Sequence, residues 1–368
     1  MERSHKIRIY PNKAQTKALY ATAGTTRYVY NWGLERWLTQ YEEYKNGTRE
    51  KAPTAYSLSR EWTASRPEWS RDTARCPQTT ALLNLGKAWH NFFNFKHGKP
   101  SFKKRRSTDS FYMNNADSYI KNGRLLLSKI GWVKLSEKLR FEGDILGFTI
   151  IREADKWFVS ITVRLLNEIK PEGINSQSIV GVDVGCNNIA YASDGSFVEN
   201  PKLIKKSQRR IRRFQRKLSR SQKNSKNRQK VRIKLQKIYS KIKNVRKDAI
   251  HKFTTQLSKN HGTAVVETLN IVGMQQNSIK TIRDAVFDTC MAVVQSQLSY
   301  KMHTIKAPKY FPSSKTCSHC NTINYALQPT SALFVCPSCG FKAHRDFNAS
   351  LNLKNFAVGY TVKACGVS

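Results

Sequence analysis

The chain has 368 residues, 39% of them hydrophobic and 11% aromatic, enough for two or three packed domains and too apolar for a wholly disordered protein. It carries 64 Lys and Arg against 25 Asp and Glu, a formal net charge of +39, so it repels itself unless it meets a polyanion, of which nucleic acid is the usual one. The opening MERSHKIRIYPNK lacks the apolar core of a secretory signal, and no run approaches the roughly 18 apolar residues that cross a bilayer, so a cytoplasmic protein with no membrane partner is expected.

KIRIYPN alternates apolar and polar residues up to Pro11 and predicts a short strand. Helical periodicity follows. Tyr30, Leu34, Trp37 and Tyr41 share one stripe, and Leu82, Leu85, Trp89 and Phe92 share another behind Pro77, a residue suited to a first helical turn. Both stripes are read as packing faces. From GKPSFKKRR to about Leu166 the period changes to two: RLLLS, WVKL, ILGFTIIRE and KWFVSITVRL, with turn signals at Asn122-Gly123, Gly131 and Ala154-Asp155, predict an antiparallel β-domain. The strand at residues 6–10 has no partner nearby in sequence and is expected to join this sheet, which makes the helices of about 13–100 an insertion.

IVGVDVG starts a second sheet, and its nearly continuous apolar character fits a strand covered on both faces. YASDGSFV predicts a hairpin with Asp194-Gly195 as its turn. Lys202 to Lys247 then holds about twenty Lys and Arg and no acid. Val231, Leu235, Ile238, Ile242 and Val245 recur at spacings of four and three, and Ile211, Phe214 and Leu218 give a matching seam before SRSQKNSKN. The expectation is two antiparallel helices with one narrow apolar seam and a cationic exterior.

Cys317, Cys320, Cys336 and Cys339 spell C-x2-C-x15-C-x2-C, a spacing that lets two knuckle-like turns deliver four thiolates to a tetrahedral Zn²⁺. Four thiolates close the coordination shell, so the zinc is read as structural, and His319 and His344 are not needed as ligands. Cys76, Cys186, Cys290 and Cys365 are scattered and read as buried or incidental thiols.

Three acids stand apart: Asp183 in IVGVDVG, Glu267 in AVVETLN and Asp346 in HRDFNAS. The first two sit in or at the end of apolar runs, where an ionised carboxylate is costly without a cation or a partner. Taken singly, each could be a cap or an ion-pair partner. As a set in a basic chain they suggest phosphodiester chemistry with Mg²⁺ or Mn²⁺, the ions that hard oxygen ligands and phosphates select, two of which about 3.5–4 Å apart can support an in-line displacement.

The order strand with Asp, hairpin, long helical excursion, strand with Glu, helix, late Asp is the one an RNase H-like fold requires for three carboxylates to converge. Together with RYVYNW, FFNFKHGKPSFKKR, GVDVG, VVETLNIVGM, FPSSKTCSHC, CPSCG and HRDFNASLNL, it resembles the TnpB (OrfB) proteins of insertion sequences, relatives of the miniature type V CRISPR effectors, over essentially the whole chain. The resemblance implies a multidomain α+β and α/β protein: a wedge β-barrel at residues 1–12 and 105–170, a helical recognition lobe at 13–104 inserted in it, and a RuvC nuclease domain at 178–316 and 343–368 that includes the basic hairpin (202–257) and is interrupted by a zinc ribbon at 317–342. It implies a guide RNA from the transposon end, double-stranded target DNA cut beside a transposon-adjacent motif, a prokaryotic nucleoid setting, and a monomer or weak self-association. Asp183, Glu267 and Asp346 become the nuclease triad, with Arg345 assisting at the phosphate. Gln78 and Thr79 become candidates for reading the adjacent motif, while Lys103, Lys104, Arg209, Arg213, Lys234 and Lys241 are expected to contact nucleic acid. Thr268 stands where the family usually has Asp or Asn, Ser101 replaces a common arginine, and the sequence stops 22 residues after Asp346 without the long polar tail of many relatives. The alternative function is a guided DNA-binding repressor that has lost cleavage. A strand transferase is disfavoured by the absence of a tyrosine-nucleophile HUH motif.

Overall fold

The alternation in KIRIY produces β1 (Glu2–Tyr10), with Ile7 and Ile9 buried, and Pro11 follows it. The computed structural model describes residues 2–95, 97–104, 109–166, 178–185, 188–268, 290–328 and 331–364. The chain divides into two units, Met1–Glu168 and Ile169–Ser368. Cys186 and Cys365 lie outside the described residues.

In the first unit Asn12 caps α1 (Lys13–Lys45): its side chain accepts from the Gln15 amide while the Gln15 side chain accepts from the Asn12 amide, satisfying two donors that a helix start leaves open. Thr54 and Ser57 repeat the device at α2 (Ala55–Ser65). A 3-10 turn (Glu68–Asp72) leads into α3 (Arg75–Phe95), with Pro77 in its first turn. The two predicted stripes meet. Tyr30, Leu34 and Trp37 pack with Leu82, Leu85 and Trp89, joined by Leu58 and Trp62, and Trp37 stacks on Trp89 at 5.7 Å.

β2 (Ser110–Asn114), β3 (Tyr119–Lys121), β4 (Arg124–Leu127), β5 (Gly131–Leu135), β6 (Gly143–Glu153) and β7 (Lys156–Leu165) complete an antiparallel sheet with β1, in the order β2-β6-β7-β1-β5-β4-β3. β1 lies between β7 and β5, so the helices are an insertion, as its lack of a local partner required. Asn122 and Gly123 both take positive φ, 49° and 69°, as a tight primed hairpin turn between β3 and β4 demands. Among the described residues β2 and β3 do not pair, so this sheet is an open half-barrel where a barrel is expected.

The second unit holds a five-stranded sheet in the order β10-β9-β8-β11-β12, built from β8 (Ile179–Asp183), β9 (Asn188–Ala192), β10 (Phe197–Glu199), β11 (Thr263–Val266) and β12 (His303–Lys306). The pairs β8–β9 and β9–β10 are antiparallel, whereas β8–β11 and β11–β12 are parallel. Helices α4 (Leu203–Arg220) and α5 (Lys226–Asn260) form between β10 and β11. α6 (Met291–Lys301) precedes β12, the short pair β13 (Leu333–Val335) and β14 (Lys342–His344) follows, and α7 (Arg345–Ala364) comes last. Val180, Val182, Ala264 and Val266 pack with Ile250, Phe253 and Leu257 of α5 and Val294 and Leu298 of α6. Val265, on the opposite face by strand alternation, packs with Leu353 and Ala357 of α7.

The basic hairpin departs from expectation at one point. Val231 and Ile242 are buried, but Val245 is 41% exposed and Arg246 takes the buried position. The buried stripe then continues through Ile250, Phe253 and Leu257 to a helix end at Asn260, beyond the Lys202–Lys247 basic run. A strict heptad drifts by about 20° per seven residues around a straight helix, and this helix leaves α4 to pack on the sheet. No helix among the described residues is long and apolar enough to cross a membrane.

Candidate metal centre

β8 and β11 run parallel with Val182 opposite Val266. The next residues, Asp183 and Glu267, therefore leave the sheet side by side at the carboxyl ends of neighbouring strands. Asp346 comes from the first turn of α7, and Gly181 explains how that helix gets there: a Cβ at 181 would overlap the Ser350 carbonyl oxygen and stand 2.6 Å from the Lys354 amide nitrogen. Only glycine lets α7 lie so close to β8. One turn back along the helix, Arg345 and Asp346 fall beside Asp183.

The site is electrostatically unsatisfied as a set of bare carboxylates. Burial pushes the Asp183 carboxyl well above the usual range, and the charges of Glu267 and Asp346 push it further, against the pull of the Arg345 guanidinium and the Val184 amide. Burial also raises Glu267, partly offset by the Ser313 hydroxyl and Arg345. Half-buried oxygen donors that repel one another fit a hard divalent cation.

Neighbouring groups fix these carboxylates. Ser313 donates its hydroxyl to Glu267 Oε1, Gln295 donates to the Glu267 carbonyl at 2.9 Å, and Asn188 donates to Asp346 Oδ2 at 3.2 Å. The buried Asn352 of α7 donates to the Ser313 and Thr316 carbonyls at 2.7 and 2.6 Å, and buried Asn348 donates to Thr316 and accepts from the Ser318 amide. The asparagines of the HRDFNASLNL stretch thus strap the segment before Cys317 to the helix that carries Asp346. Sequence reasoning missed Ser313, Gln295 and Asn188, whose only signal was that Ser313 lies in the FPSSKTC motif. Thr268 does not face this chemistry: its hydroxyl donates to the Ala307 carbonyl at 2.6 Å and ties the ends of β11 and β12.

The four cysteines do converge. Their sulfurs all lie within 4.8 Å of one another, with Cys317–Cys339 at 3.7 Å and Cys320–Cys336 at 3.5 Å. A tetrahedral ion with Zn–S bonds of about 2.3 Å has S···S edges of about 3.8 Å, so the cluster fits Zn²⁺. Both nearby histidines are occupied in ring contacts, His319 with Phe341 and His344 with Tyr191.

The expected nucleic-acid residues divide. Arg209, Arg213, Lys234 and Lys241 are exposed on α4 and α5, and Arg212, Arg216 and Arg220 line a shallow groove with Gln215 and Ser219. Lys103 and Lys104 are exposed; the Lys103 ammonium sits 3.8 Å from the Tyr30 ring centroid, and the Lys103 backbone pairs twice with the Asn31 amide. Thr79 is half-buried. Gln78 must be corrected: it is 1% exposed, accepts from Trp62 Nε1 at 2.9 Å and donates to the Ser70 carbonyl at 2.8 Å and Thr73 Oγ1 at 3.1 Å. A base edge cannot reach an amide already consumed inside the α2–α3 core.

The second unit is thus an α/β domain with clustered carboxylates at parallel strand ends and a thiolate knot strapped to its last helix. The chain is similar to the OrfB (TnpB) proteins of insertion sequences along most of its length. Residues 160–278 match the IS605 OrfB family, described as "Probable transposase", and residues 294–353 match the Cas12f1-like TNB domain. Residues 1–46 match that family's helix-turn-helix domain, although here the segment forms β1 and the single helix α1. "Putative RNA-guided DNA endonuclease InsQ" of Escherichia coli (strain K12) is 29% identical, the alignment covering 98% of this chain and 93% of that one. A "Putative RNA-guided DNA endonuclease" of Streptomyces pristinaespiralis is also 29% identical, covering 100% and 91%. Among solved structures, the mini-RNA-guided endonuclease CRISPR-Cas phi3 is similar at 10% identity and a TM-score of 0.47, covering 97% of this chain and 92% of the other.

Proposed function

We propose that this chain is an insertion-sequence-encoded, RNA-guided endonuclease that cuts double-stranded DNA next to a transposon-adjacent motif. The observation that carries the reading is the convergence of Asp183, Glu267 and Asp346 from two parallel strands and one helix in a chain of net charge +39. The strand order β10-β9-β8-β11-β12, antiparallel then parallel, supports an RNase H-like RuvC domain at 178–316 and 343–368. Residues 1–12 and 105–170 are then the wedge, 13–104 the recognition lobe and 317–342 the zinc ribbon.

Asp183, Glu267 and Asp346 would hold Mg²⁺ or Mn²⁺, which when bound supplies charge stabilisation and water activation for in-line phosphodiester hydrolysis. The protein's own contribution is preorganisation. Ser313 fixes the Glu267 carboxylate, Asn188 fixes Asp346, and Arg345 adds positive charge where a phosphate would approach. A single site must take the two strands in turn and needs them unpaired; pairing of a guide RNA with one strand displaces the other. The exposed cations of α4 and α5 would hold the guide or its heteroduplex through phosphates.

Sequencing the RNA that co-purifies with the protein tests the guided part. The expected result is a defined transcript whose 3′ portion varies with the insertion site, and a duplex matching that portion should be cut in Mg²⁺. Heterogeneous RNA, and cutting indifferent to a match, would contradict it.

A further inference from the structure

Beside the carboxylates stands a column of three rings that the chemistry above does not use. Phe197 and Tyr191 stack with centroids 5.1 Å apart and planes 12° apart, and Tyr191 and His344 stack at 5.4 Å and 17°. Phe347 leans on Tyr191 at 5.7 Å and 53°. Two separate features place the column at the metal centre. Tyr191 is directly opposite Asp183 in the antiparallel register of β8 and β9, so the two side chains share a sheet face at the usual cross-strand Cβ separation of about 5 Å. His344 lies two residues before Asp346, and its Nδ1 accepts from the Asp346 amide at 3.3 Å.

Both end rings face water: Phe197 is 49% exposed, and His344 is exposed as well. A ring cluster serving only the core would cover its outer members. Here exposed rings stand next to an acidic site on a cationic protein, and the flat apolar group that accompanies every phosphate of an unpaired strand is its base.

We propose that Phe197, Tyr191 and His344 form a stacking platform for an unpaired DNA base adjoining the scissile phosphate, with His344 as the landing ring. The proposal rests on the nuclease reading of the carboxylates. Every base has a π face, so such a platform grips a strand without reading its sequence, as an enzyme guided by RNA requires. Tyr191 carries the stack, and the hydrogen bond from the Asp346 backbone amide to His344 Nδ1 ties the platform to the start of the helix whose Asp346 carboxylate would hold the cation.

The probe is a short oligothymidylate with 5-iodouracil at successive positions, bound to the RNA-containing protein in Ca²⁺ and irradiated. Cross-links should map to His344, Tyr191 or Phe197 for one position of the probe. In Mg²⁺, His344→Ala should raise KM for oligothymidylate cleavage about five- to a hundred-fold, the range of one base–aromatic stack, with a smaller effect on kcat, and His344→Phe should restore it. Cross-links only elsewhere, or a His344→Phe variant as weak as His344→Ala, would overturn the platform. Wild-type protein that cross-links at the column yet cuts no DNA would keep the platform and remove the nuclease reading.

Discussion

Asp183 is folded into a place that disfavours its own charge. Because burial and two neighbouring acids raise its pKa in the folded state, the stability it contributes is complete below the usual carboxylate range and is lost as pH rises through the raised value. Asp183→Asn keeps the shape and removes the charge. In EDTA the variant should therefore unfold at higher temperature than the parent at about pH 8 and nearly with it at about pH 5, by about 2–4 °C for each kcal/mol recovered. Mg²⁺ should stabilise the parent and not the variant. An equal difference at both pH values in thermal unfolding would contradict the proposed electrostatics. Gln78 makes the opposite kind of case. With Trp62, Ser70 and Thr73 dependent on its amide, Gln78→Ala should cost about 1–3 kcal/mol in denaturant unfolding and leave the preferred adjacent motif unchanged. Its helix start was legible in the sequence, but its burial was not, since that depends on how the 3-10 turn and Trp62 close over it.

At the scale of elements, the periodic patterns were readable wherever one partner covers one face. The α1 and α3 stripes, the β-domain turns and the cysteine spacing all formed as read. The basic hairpin was readable until its partner changed: Val245 belongs to the heptad seam, but by that turn α5 has begun to pack on the sheet, and Arg246 is buried instead. The cations on the remaining surface have a measurable consequence. Substituting Arg209, Arg213, Lys234 and Lys241 by Gln should weaken RNA binding and flatten the log–log salt dependence by about 0.7–0.9 for each phosphate no longer neutralised, with no change in the adjacent motif. An unchanged slope would return the hairpin to a solvated charged face. The thiolate knot is expected to retain about one zinc per chain by elemental analysis. Cys317→Ser with Cys336→Ser should release it, and because Asn348 and Asn352 strap that segment to α7, cleavage should fall about tenfold or more. Full activity without zinc would contradict that coupling.

For the whole molecule, sequence order revealed the inserted helices because β1 had nowhere local to pair, and β1 indeed lies between β7 and β5. It did not reveal that the sheet stays open, because no local pattern says whether the first and last strands of a sheet meet. The candidate site was legible as three acids and illegible as a geometry. Asp183 meets Glu267 only through the parallel register of β8 and β11, strands separated by a hairpin and two helices, and Asp346 joins them only because Gly181 admits α7. Ser313 and Asn188, which orient two of the carboxylates, are ordinary loop and strand residues until that register exists. The central claim is that these three carboxylates act as one site, and residues acting as a unit lose function non-additively. The direct measurement is the single-turnover cleavage rate of matched duplex in Mg²⁺ for Asp183→Ala, Glu267→Ala and Asp346→Ala, singly and in pairs, with guided binding followed in parallel. Each single variant should lose about a thousand-fold or more in rate while still binding, and pairing the substitutions should lower the rate no further. Any single variant that cuts within about tenfold of the parent, or losses that multiply across pairs, would contradict the account.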